Sequence, residues 1–203
     1  MTFSEYKYLI WSDLYRLSGE IRFSQLIRQV LFGEGFKFSF WLRTCTLLRT
    51  KPALRYTWYP IALWMLRRQR FRLGISISPR TEIGSGFYIG HFGGINVNRE
   101  CKIGKNCNLS QGVTLGQSNR GERAGCPVIG DNVYIGPGAK IFGAIVIGDD
   151  VAIGANCVVT KDVPDHSVVV GVPGRVISSQ GARNYVDFTD YDAKLKGRVR
   201  GAH

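Results

Sequence analysis

The chain has 203 residues, a net charge of +12 and 44% hydrophobic residues, enough for one large or two small domains with a real core. Its five cysteines, Cys45, Cys101, Cys107, Cys126 and Cys157, form no CxxC and no Cys/His cluster. This speaks against a zinc centre or a disulfide framework and for reduced thiols in a cytoplasmic protein. The N-terminus lacks the basic start and apolar run of a signal peptide, and the most apolar stretch, Trp58 to Leu66, contains Pro60 and falls far short of the ~20 residues that span a bilayer.

The charge is unevenly placed. Before residue 75, Lys and Arg number 13 against 4 Asp and Glu; the remainder carries 14 against 11. All four tryptophans lie in the first part as well. The expected organisation is a basic, aromatic, helical segment over 1–74, a repeat domain over 75–178 and a polar, flexible tail over 179–203.

Within the first segment, residues 3–17 read as a helix with Tyr8, Trp11, Leu14 and Tyr15 on one face. Residues 24–32 continue in helical style until Gly33 and Gly35. Phe36 to Arg49 carries Phe38, Trp41, Leu42, Cys45 and Leu48 at helical spacing, and Lys51-Pro52 ends it. An aromatic run from Tyr56 to Leu66 then leads into Arg67, Arg68, Arg70 and Arg72. Two readings stand: a helix packed on the rest of the protein with solvated arginines, or peripheral membrane contact with arginines against anionic lipid. Nucleic acid is not expected, because bulky apolar residues flank the arginines and no recognition motif accompanies them.

From Ile75 onward the sequence beats every six residues. Aliphatic residues recur at Ile77, Ile83, Ile89 and Ile95; after a two-residue slip, at Val97, Ile103, Leu109 and Leu115; and, after a longer break, at Ile129, Ile135, Ile141, Ile147, Ile153 and Val159. Glycine directly follows many of them. Neither the helical period of 3.6 nor the strand period of 2 generates this. A triangular coil of short strands does, with the aliphatic residues stacked inward and glycine or asparagine at tight corners.

Two features of the coil carry chemistry. His91 stands in Tyr88-Ile-Gly-His-Phe-Gly-Gly94, at a corner shortly after the inward Ile89, so it points outward or along the groove, where flanking glycines let a substrate approach. It is either a general base for a hydroxyl or amine, or a solvated or structural histidine. Between Leu115 and Ile129 a polar loop, Gln117 to Pro127, leaves the coil. Its Arg120 and Arg123 could meet a phosphate or carboxylate, or the loop could be a solvated insertion.

The hexads, this loop and the ending Thr160-Lys-Asp-Val-Pro-Asp-His-Ser-Val-Val-Val-Gly-Val-Pro-Gly-Arg175 resemble the hexapeptide-repeat acyltransferases, specifically their serine acetyltransferase-like branch, over residues 73–178. The resemblance implies a mainly β fold, a left-handed parallel β-helix preceded by helices, a homotrimer, and acetyl-CoA bound between subunits with no metal. It implies that His91 deprotonates an acceptor hydroxyl for direct attack on the thioester. Small residues Gly116, Ala139, Gly154 and Ala155 would lie along the pantetheine arm, Lys161 and Arg175 near the CoA phosphates. His166 reads as structural.

Two positions depart from that pattern. Where the branch carries an aspartate on the preceding coil, this chain has Ser76; where it carries a second histidine before a proline, this chain has Cys126. Together with Arg120 and Arg123, these are the candidate acceptor-binding residues. Loss of both recognition groups argues against free serine and for O-acetylation of a sugar hydroxyl, on a capsular or exopolysaccharide or its lipid-linked precursor. Serine O-acetylation is the alternative, and a non-catalytic trimeric scaffold the third reading. The partner that orients His91 is expected to be a main-chain carbonyl or Glu100.

Overall fold

A computed structural model describes residues 1–200, with side chains to 195; His203 and the basic residues expected at the end of the tail lie outside the described side chains. The first 73 residues form helices α1 (Phe3–Ser18), α2 (Phe23–Phe32), α3 (Gly35–Arg49), α4 (Pro52–Arg55) and α5 (Trp58–Leu73). Helix α1 starts at a capping box in which Thr2 and Glu5 exchange side-chain and backbone bonds, and it ends at Gly19 in the left-handed conformation.

The beat produces three parallel sheets. One face stacks 75–76, 95–97, 114–116, 140–142 and 158–159; the second stacks 82–83, 102–103, 128–129 and 146–147. The third stacks 88–89, 108–109, 134–135, 152–153 and 168–170, closed by the antiparallel strand 175–178. Aliphatic residues pair in register up each face, as in Ile83, Ile103, Ile129 and Ile147. A second inward column, two residues ahead of the first, holds Cys101, Cys107, Val113, Val133, Ala139, Ile145, Val151 and Cys157, all buried. Three of the five cysteines are therefore small apolar fillers of the coil. None of the five is in a disulfide.

The glycines divide into two groups. Asn106, Asn132, Asn156 and Gly86, Gly112 and Gly138 turn corners at positive φ, as expected of such residues. The glycines after the aliphatic residues serve a different need: a Cβ on Gly84 would stand 2.6 Å from the Gly104 backbone, and one on Gly130 2.7 Å from that of Gly148. Those positions are small so that coils can stack.

The helices are fastened to the coil by a buried polar joint. Asp13 of α1 accepts from Ser39 (2.9 Å), from Arg43 Nε (3.0 Å) and Nη2 (3.2 Å) on α3, and from the Phe87 backbone N–H (2.8 Å). Arg43 donates onward to the Ile83 and Gly84 carbonyls. Both charged side chains are almost wholly enclosed. The second half of α1 is thus buried all round, at Ile10 and from Ser12 to Arg16, rather than along an aromatic stripe, and the coil corner it meets offers backbone donors and acceptors to its polar residues.

The tail differs from the flexible segment expected. Helix α6 (Tyr191–Arg200) returns to α1: Tyr191 is 2% exposed and bonds Ser85, Tyr15 donates to Asp190 and Tyr8 to Asp192. Aromatic burial and three polar contacts offset the ordering cost that composition alone leaves uncovered. No helix among the described residues is long and apolar enough to cross a membrane.

Candidate functional site

The corner that carries His91 is where the six-residue beat slips. On the third face Ile89 pairs with Leu109, and on the next face Val97 pairs with Leu115. Eight residues separate Ile89 from Val97 where six separate Leu109 from Leu115. The two extra residues fall within Gly90–Gly94, which must bulge from the coil. Gly93 (φ 105°) and Gly94 (φ 67°) supply the backbone for it, and nothing lies within 4 Å of a Cβ built on Gly93. His91 is consequently exposed.

His91 lines a cavity of about 330 Å³ together with Arg16, Tyr88, Asn108, Tyr134 and Asp187. The floor is the outward row Tyr88, Asn108 and Tyr134 of the third face. One wall is the end of α1; the other is the segment after the coil, held down by Tyr185 stacked on Tyr134 at 4.5 Å and by Asn108 donating to the Tyr185 carbonyl at 2.7 Å. Larger hollows occur below α3 (530 Å³) and beside α5 (550 Å³), but neither contains a histidine. Chemistry, not volume, marks the site.

The other sequence candidates sit elsewhere within the chain. Ser76 accepts from Arg70 at 2.9 Å beside α5. Cys126 is half-buried and packs against the coil core. Arg123 is paired with Asp162 at 2.9 Å, which ties the loop to the last coils; burial is slight there, and the Val146 backbone N–H and Arg123 hold the Asp162 carboxyl below its ordinary range. Arg120 is exposed on the loop, whose ends pair at Ser118 and Gly125. Glu100 pairs with Arg99 at 2.7 Å and is not among the residues around His91.

Among the positions expected along the pantetheine arm, Ala139 is not on an edge. Its methyl is fully buried in the second inward column, its N–H donates to Gly136 and its carbonyl accepts from Thr114. Gly116 is kept small by the Phe142 ring, on which any Cβ would fall. Ala155, Lys161 and Arg175 are exposed on the last coils, with Gly154 partly so. His166 bonds Asp150 through Nδ1 at 2.8 Å, and that carboxylate raises its pKa. No group of three His, Cys, Asp or Glu that could hold a metal occurs among the described residues.

Arg16, Asn108 and Asp187 were not singled out in the sequence. Arg16 looks like an ordinary basic residue at a helix end, and Asp187 falls in a stretch whose composition reads as flexible. No local pattern marked them, since the consecutive residues Ser12 to Arg16 go all the way round the helix.

A family described as bacterial transferase hexapeptide (six repeats) matches residues 126–161. The chain is 40% identical over 144 residues, 68% of its length, to a serine acetyltransferase of Bacillus pumilus (strain SAFR-032), covering 66% of that protein. Matches to other serine acetyltransferases cover similar or smaller shares, 62% for that of Bacillus subtilis (strain 168), so the chain spans somewhat under two thirds of these relatives. The serine acetyltransferase of Brucella abortus strain S19, solved with coenzyme A, superposes with a TM-score of 0.72 at 29% identity, covering 88% of this chain and 70% of that one.

These relatives overturn the expectation of a polysaccharide acceptor: at 40% identity and above they are serine acetyltransferases. The inference from Ser76 and Cys126 failed because losing two recognition groups does not identify a new acceptor. Charged groups from other elements, such as Arg16 and Asp187, stand in the cavity of His91. The repeats, the left-handed β-helix and the relatives together place this chain in the hexapeptide-repeat acyltransferases, in their serine acetyltransferase-like branch.

Proposed function

We propose that this chain transfers an acetyl group from acetyl-CoA to the side-chain hydroxyl of serine, with His91 as general base. The observation that carries the reading is an exposed histidine, raised on a glycine-flanked bulge and lining a polar cavity, in a chain 40% identical to a serine acetyltransferase. The neutral imidazole accepts the hydroxyl proton as the serine oxygen attacks the thioester carbon. Backbone N–H groups at the coil corners steady the developing oxyanion. The C–S bond then breaks, and the imidazolium returns its proton to the CoA sulfur, leaving O-acetylserine, CoA thiol and neutral His91. No cysteine is needed as a nucleophile. Gly154, Ala155, Lys161 and Arg175 are assigned to the donor, supported by their position on the last coils.

Mass-spectrometric detection of O-acetylserine from acetyl-CoA and serine tests this. His91→Ala is expected to lower kcat by roughly 10²–10⁴-fold. Absence of product from the wild type at saturating donor, or full activity in the variant, would overturn the assignment.

A homotrimer with sites between subunits follows from the same reading and is checked by light scattering. The outer face of α5 supports peripheral contact with an anionic membrane: Trp58, Trp64 and Phe71 are 60%, 60% and 77% exposed beside Arg67, Arg68, Arg70 and Arg72. Flotation with anionic vesicles, lost when the four arginines are neutralised, is the expected result; no flotation of the wild type would remove the contact.

A further inference from the structure

Arg16 is a buried cation without a carboxylate partner. Its residue is 5% exposed, and no Asp or Glu among the described residues lies within 4 Å of its guanidinium. Its recorded bonds are Nε to the Gly86 carbonyl at 3.3 Å and Nη2 to the Asn108 amide oxygen. Neither uses Nη1, and both acceptors are neutral. An enclosed guanidinium held by neutral groups alone is costly unless an anion joins it. Burial lowers its pKa, with Asp187 among the charges that partly oppose the shift.

The cavity that Arg16 lines also contains Asp187 and His91. Three functions therefore converge on one space: a fixed cation, an exposed carboxylate and a candidate base. Its volume of about 330 Å³ corresponds to roughly ten waters at about 30 Å³ each, ample for a small amino acid. The arrangement is built, since Asn108 fixes the guanidinium on one side and the Tyr185 backbone on the other. The stack of Tyr185 on Tyr134 then sets where the 185–188 segment crosses the floor.

We infer that Arg16 binds the α-carboxylate and Asp187 the α-ammonium of the acceptor, which presents its hydroxyl to His91. This rests on the serine reading above and deepens it. Recognition would come from the N-terminal helix and the segment after the coil, not from Ser76 or Cys126. An arginine edge suits a carboxylate through paired N–H donors, and the Asp187 carboxylate, which lines the same cavity, suits an ammonium.

Steady-state kinetics with three acceptors tests it: serine, serinamide (no carboxylate) and 3-hydroxypropionate (no ammonium). The wild type is expected to prefer serine over both. Arg16→Met should raise KM for serine roughly ten- to a hundred-fold, leave KM for acetyl-CoA unchanged and abolish the preference for serine over serinamide, with Arg16→Lys recovering part of it. Asp187→Asn, at an exposed position, should abolish the preference for serine over 3-hydroxypropionate, and it keeps the test alive should Arg16→Met not fold. Acetylation of serine by the wild type with these preferences unaltered in the variants would refute the inference alone. No acetylation of serine by the wild type would refute the functional reading beneath it.

Discussion

Asp13→Ala should loosen the whole helical segment from the coil. The wild-type carboxylate accepts four hydrogen bonds at 2.8–3.2 Å, three from α3 and one from the coil, and its side chain is 0% exposed beside an Arg43 side chain at 5%. Removing it leaves a buried guanidinium with only the Ile83 and Gly84 carbonyls and strips the Phe87 N–H of its acceptor. Breaking such a buried pair from one side costs about 3–5 kcal/mol. For a chain of this size each kcal/mol moves the melting temperature by about 2–4 °C, so a fall of roughly 6–20 °C is expected from far-UV circular dichroism melts. Glu100→Gln is the control: it breaks an ion pair 62% exposed on both sides, worth at most about 1 kcal/mol. Replacing both partners, Asp13→Leu with Arg43→Met, should recover part of the loss, because no lone charge then stays buried. Equal melting temperatures for Asp13→Ala and Glu100→Gln would refute the claim that this joint couples α1 and α3 to the coil.

Three further outcomes are expected. Gly35→Ala should destabilise by about 1–3 kcal/mol, where the same change in an exposed helix interior stabilises by about 1 kcal/mol, because the added Cβ meets the Ile89 carbonyl; a melt at or above wild type would contradict that contact. The His166 ring should titrate above 6.5 by NMR, a shift that Asp150→Asn removes. Since the folded pKa is raised, the pair contributes fully below the unfolded pKa and its contribution fades as pH rises through the folded value; a ring that titrates alike in both proteins would contradict it. Burial pushes the Cys101 and Cys107 thiols up to about 12, so alkylation of the native protein at pH 8, mapped by peptide mass spectrometry, should reach half-buried Cys126 well before either; prompt labelling of Cys107 would show that the coil opens.

What the sequence determined by itself was the coil. A six-residue period has a single compact solution, because each aliphatic residue must stack on its counterpart one coil later. A slip was legible too, but the sequence set it after Ile95; the strand register puts Ile95 opposite Ile75 and the two extra residues between Ile89 and Val97, at the bulge on which His91 stands. Local pattern also placed the helices to within a few residues, since apolar spacing and the Gly and Pro breaks act over one or two turns. Tertiary structure alone decided which charges matter. Asp13 and Arg16 are buried because α1 meets backbone groups of a coil corner 70 to 74 residues away, a pairing no local pattern encodes. It likewise folded the polar tail back by seating Tyr185 and Tyr191 on distant partners. It also separated Ser76, Cys126 and Arg123 from His91 within the chain, giving each its own neighbours. Period and propensity are properties of neighbouring residues, whereas the partner of a buried charge is set by whatever the completed coil brings against it.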